Sequence, residues 1–252
     1  GNSDTQEYIG IVGSGFKCED HGAFFRRVSY TMTEHLDSHE TEGAIVSWKS
    51  AYNNGMGVMD VRLPKVSAKI TTDRNEFDVQ QRIIALHGVI GGCSNVAIFG
   101  AFDFFCLNGM ITGKHDTIKR KNTSGFDMDR FITRLNKSKD DFYGRTKQLQ
   151  TWAESSLVTV DVKALLDSII KSERESEKMF ALYREEVSDR GQNVFALYSA
   201  FTNYASYADE RNGFTLRNTG KDTQAKTMLE REFKVTDWIN TPQFRSVVKQ
   251  AA

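Results

Sequence analysis

Near residue 125 the hydrophobic pattern of this 252-residue chain changes period, and no other feature constrains its fold as strongly. Before that point apolar residues alternate or run together in short stretches punctuated by Gly, Asn and Pro. After it they recur at three- and four-residue spacing. Strands segregated from helices predict an α+β protein: an N-terminal antiparallel hairpin and sheet with helices packed on it, then a helical C-terminal half. The expected division is a strand-rich part at 1–125 and a helical part at 126–252, joined in one composite domain.

The clearest local signal is a hairpin. Residues 44–52 and 58–63 read as strands, and Asn53-Asn54-Gly55 between them is a turn, because Asn and Gly tolerate positive φ. Pro64 is expected to end the second strand, since proline donates nothing to a ladder. Residues 76–86 and 96–107 read as two further strands, with Asp73-Arg74-Asn75 as the turn before the first. Phe99, Phe102, Phe104 and Phe105 put aromatics on both faces of 96–107, the mark of a central strand. Gly88, Gly91 and Gly92 mark the connection between these two strands.

In the second half, Phe131, Leu135, Phe142 and Leu149 share one helix face. Further helices are expected over 160–170, 173–187, 194–208 and 224–239, with a short last one from Pro242, a residue suited to a first turn. The 194–208 segment carries Phe195, Tyr198, Phe201, Tyr204 and Tyr207.

An apolar fraction of 39% with only two prolines is a folded composition. No stretch is long and apolar enough to predict a membrane span, and no basic start leads into an apolar run, so no signal peptide is expected. Three cysteines, Cys18, Cys93 and Cys106, make an odd set without CxxC spacing. That argues against a disulfide framework or structural zinc and fits a reducing cytoplasm.

Several partial motifs fall short. Gly10-Ile11-Val12-Gly13-Ser14-Gly15 begins like a nucleotide-binding loop, but Cys18 stands where a third glycine belongs and no βαβ unit follows. No cofactor is expected. His35 and His39 are four apart, a spacing that places two imidazoles on one helix face, yet no third ligand is identifiable; a solvated acidic stretch is the simpler reading. Cys93 or Cys106 with His87 or His115 as base would make a nucleophilic pair. A cysteine beside buried phenylalanines is more often a small core residue, and a non-catalytic binding protein is favoured.

Charge distribution says more. Lys and Arg together equal Asp and Glu at 33 each, so the whole chain is neutral. Residues 114–147, however, hold ten basic and five acidic residues, whereas the first fifty hold four basic and eight acidic. A basic strip binds phosphates by releasing counterions. Its candidate contacts are Lys114, Lys119, Arg120, Lys121, Arg130, Arg134 and Lys137, and Phe126 or Tyr143 would stack bases. An amphipathic helix with a solvated basic face and its aromatics in the core explains the same residues equally well.

Leu86-His87-Gly88-Val89-Ile90-Gly91-Gly92-Cys93-Ser94, followed by Phe104-Phe105-Cys106-Leu107-Asn108-Gly109-Met110-Ile111, resembles a phage- and plasmid-encoded family of unknown function. Its members carry a Gly- and Ser-containing turn, a strand and a Cys-x-Asn-Gly/Thr element. A basic stretch follows, here Lys114-His115-Asp116-Thr117 and Lys119-Arg120-Lys121-Asn122-Thr123. A later aromatic helix is matched by the segment from Phe195 to Tyr204. The resemblance covers residues 45–210. It departs at the turn, where His87-Gly88 lacks the aspartate of the family's Tyr/His-Asp-Gly-Ser. It implies phage or mobile-element DNA metabolism. Single-strand annealing proteins of the RecT, Redβ and Erf types are similar in plan: hairpin, sheet, helices and a basic groove.

The expected function is therefore single-stranded DNA binding and annealing in phage replication or recombination. The protein would act as a ring- or filament-forming homo-oligomer, with a phage exonuclease or a host single-strand-binding protein as possible partners. The alternative is a phage interaction protein that inhibits or scaffolds a host protein without binding DNA. The aromatic 194–208 helix would be its interface.

Overall fold

The computed structural model describes residues 14–16, 19–51, 54–90, 95–103, 108–111, 117–120, 126–206 and 224–251. The chain is α+β. A first helix α1 (His21–His35) and a short α2 (Ser38–Thr41) precede β1 (Ile45–Ala51), β2 (Met56–Thr71), β3 (Glu76–Gly88), β4 (Asn95–Asp103), β5 (Asn108–Ile111) and β6 (Thr117–Arg120). Then come α3 (Met128–Glu154), α4 (Val162–Ile169), α5 (Glu173–Arg190), α6 (Val194–Ser206), α7 (Gln224–Ile239) and α8 (Pro242–Ala251). The six strands form one antiparallel sheet in the order β1-β2-β3-β4, and β5 and β6 both pair with the far edge of β4.

The hairpin forms where expected, and Asn54 at its turn takes φ 63°. Pro64 does not end β2. The strand continues to Thr71 through a register shift between Leu63 and Ser67, and such a bulge accommodates a residue with no N–H to donate. Asn108 and Gly109 open β5 and pair with Asp103 and Phe102. Helix α1 was not expected from the sequence. Asp20 caps it by accepting from the Ala23 N–H at 3.0 Å, and Phe24, Phe25, Val28 and Met32 form its buried side.

Strand alternation gives the sheet two apolar faces. Met59, Val61, Leu63, Ile83, Ala85, Ala97 and Phe99 belong to the larger core cluster with α1 and α3, and the Phe99 and Phe131 rings stack at 5.8 Å. Val58, Ile84, Leu86, Val96 and Ile98 form a second cluster against Phe233 of α7. Residues of both sequence halves thus share each cluster.

Helix α6 is buried nearly all round. Phe195, Tyr198 and Phe201 are fully enclosed, because α3, α5, α7 and β5 all pack against the helix. Its aromatics are core, so they provide no surface for a partner. Tyr207 lies outside the described residues. The tip of the β2–β3 hairpin docks on the end of α5, where the Arg74 guanidinium and the Asn75 amide donate to the carbonyls of Ser188 and Asp189. Those carbonyls would otherwise lack partners at a helix C-terminus.

Candidate nucleic-acid interface

Helix α3 starts at Asp127, whose carboxylate accepts from the Arg130 N–H at 3.0 Å. Its buried line is Phe131, Leu135, Ser138, Phe142, Thr146 and Leu149. Arg130, Arg134 and Lys137 follow i, i+4, i+7 along one side of that line. Lys139 and Tyr143 lie on the opposite side, where the Lys139 ammonium meets Glu40 of α2 at 2.7 Å. Because Lys139 meets α2, helical geometry turns the Arg130–Arg134–Lys137 line away from α2.

The structure therefore separates residues that the sequence grouped. Arg130 and Lys137 are exposed. Arg134 is half-buried and 3.6 Å from the Asp141 carboxylate, so part of its charge is already matched. Lys119 and Arg120 are backbone positions of β6, paired with Val96 and Asn95 at the sheet edge. Lys114 and Lys121 lie outside the described residues. Phe126 is not an open stacking platform: its ring packs against Phe24 at 5.2 Å and Phe131 at 5.9 Å. Tyr143 is half-buried against Phe142 and stands across the helix from the basic line. Helical periodicity had already offered this core role for both aromatics.

Two polar constellations had no signal in the sequence. Between β3 and α7, Arg82 donates to both Asp60 oxygens and, at 2.7 Å, to Glu232. Burial disfavours the guanidinium charge, but Glu232 and Asp60 outweigh it and hold the Arg82 pKa above its ordinary value. Burial also pushes the Glu232 carboxyl up, against the pull of Arg82. The second constellation joins α1 to the end of β3. The His21 Nε2–H donates to the Asn54 carbonyl at 2.7 Å. The His21 and His87 Nδ1 atoms are hydrogen-bonded to each other at 2.8 Å. The Phe24 ring stacks on His87 at 4.5 Å. Burial, then the neighbouring His21 and Arg27, pull the His87 pKa down to about 4. Gly57 permits this packing, since a Cβ there would stand 3.0 Å from the Phe25 and Trp48 rings and 3.1 Å from His21.

His87 is thus a buried, neutral, hydrogen-bonded ring; Cys93, Cys106 and His115 lie outside the described residues. His35 and His39 fall on different helices, α1 and α2, so their four-residue spacing does not put them on one helix face. Among the described residues no three His, Cys, Asp or Glu side chains gather as a metal site. None of the described helices is long and apolar enough to cross a membrane.

No family model, curated protein or solved structure matches the chain.

Proposed function

We propose that this protein binds single-stranded nucleic acid by its phosphates, as a phage-type single-stranded DNA-binding and annealing protein of replication or recombination. The observation that carries this reading is the Arg130–Arg134–Lys137 line along one side of α3, together with the positions of Lys119 and Arg120 in β6 at the sheet edge. Cations spaced along a helix and along a strand edge suit a backbone that repeats at regular intervals. With the Phe126 ring packed against Phe24 and Tyr143 across the helix, the strand is gripped by its phosphates and its bases stay open for pairing. That is the arrangement annealing requires.

Fluorescence anisotropy with single- and double-stranded oligonucleotides across a salt series tests the reading. If Lys114, Lys119, Arg120, Lys121, Arg130, Arg134 and Lys137 each neutralise one phosphate, log K should fall against log salt with a slope of about −5 on single strands. Alanine at Lys119, Arg120 and Lys121 together should make that slope shallower by about 2. Absence of binding at low salt would sink the proposal.

The second reading, a protein-interaction role without DNA binding, no longer draws on α6. One observation favours it: Ile45, Val46 and Trp48 of β1 are exposed.

A further inference from the structure

Strand β1 ends the sheet, and among the described residues nothing pairs with its outer edge. It has few of the devices that normally blunt such an edge. Over Ile45–Ala51 it carries no proline and one charge, Lys49. Its pairing with β2 runs through seven consecutive residues without a bulge. Among the described residues, three of the five large hydrophobic side chains that stay exposed lie on this strand: Ile45 at 39%, Val46 at 59% and Trp48 at 51%. They occupy both faces, since Val46 and Trp48 alternate with Ile45. An apolar strand with unpaired backbone on one side is a template for one more strand.

We propose that the added strand is β1 of a second copy, antiparallel about a two-fold axis at Trp48. In that register Trp48 faces its own copy, Val46 faces Ser50, Ile45 faces Ala51, and Lys49 faces Ser47. No like charges are opposed, and the apolar residues of one copy continue the exposed surface of the other. The competing arrangement, β1 of one copy on the β5/β6 edge of the next, is heterologous and propagates as an open-ended sheet. It would also cover the basic edge; that part of the argument rests on the nucleic-acid reading. The two-fold pairing is isologous and closes on itself. It leaves one basic edge at each outer end of a continuous sheet, so a dimer offers two strand-holding sites.

The test uses the full chain without nucleic acid, so its outcome is independent of whether the protein binds DNA. Sedimentation across a concentration series should give a monomer–dimer equilibrium. Trp48 emission should shift to the blue as the dimer fills, because its ring leaves water. Val46→Lys and Ile45→Lys sit at exposed positions. Each enters a two-fold interface twice, so each should weaken the dimer by about tenfold or more while the circular dichroism spectrum stays unchanged. A monomer at every concentration overturns the proposal. So does a dimer indifferent to both lysines, or an open-ended series of larger species.

Discussion

The two edges of the sheet are chemical opposites. At one, β1 shows Ile45, Val46 and Trp48 to solvent with a single lysine. At the other, β6 contains Lys119 and Arg120, and the side of α3 away from α2 carries Arg130, Arg134 and Lys137. An apolar edge gains by excluding water, and a basic edge gains by releasing counterions. High salt should therefore weaken the proposed nucleic-acid binding and spare the proposed dimer. Neutral whole-chain charge conceals this, because the acidic first segment offsets the basic one.

The largest expected effect comes from the middle of the sheet, where both edges should fail together. Arg82→Ala strands Asp60 and Glu232 near or inside the core and should cost about 3–5 kcal/mol, read by urea unfolding. Selective loss of one edge in that variant would show that the sheet does not couple them.

Acid should act similarly. His87 titrates at about 4 in the fold against about 6.5 unfolded. Above 6.5 both states are neutral and stability is flat. As pH falls from 6.5 toward 4 only the unfolded chain takes the proton, so up to about 3 kcal/mol of stability is lost across that window. His21, Asp20 and Arg27 are the titratable or charged groups acting on this ring. His87→Gln should flatten the slope in that range of urea midpoints.

Smaller changes address single edges. Gly57→Ala crowds Phe25, Trp48 and His21 and should cost about 1–3 kcal/mol, with altered Trp48 fluorescence and unchanged DNA affinity per protomer. Arg130→Glu combined with Lys137→Glu should reduce single-strand affinity by about tenfold or more and leave sedimentation unchanged. Lys139→Ala, on the far side of α3, breaks a partly exposed pair with Glu40. Solvent screens such a pair, so stability should change little and binding hardly at all. If it weakened binding as much as the Arg130 and Lys137 changes, the basic line would be wrongly drawn.

By itself the sequence determined the α+β division, the β1–β2 hairpin with its Asn turn, and helices α3 to α8. Each rests on short-range chemistry: Asp127 and Asp161 capping their helices, apolar residues at helical spacing, Asn54 taking positive φ. Helix α1 was equally local, with Asp20 ahead of Phe24, Phe25, Val28 and Met32, and was legible on the same terms. Only the tertiary structure decided the rest. Pro64 stays inside β2 because β3 pairs across a bulge. The aromatics of α6 became core because neighbours cover every side of that helix. Tyr143 parted from Arg130 and Lys137 because one side of α3 turns to α2 and the other away. His21 meets His87 across 66 positions and Arg82 meets Glu232 across 150. Spacing along a chain sets which residues share a helix side or a strand face, but burial and partner choice depend on which elements pack together.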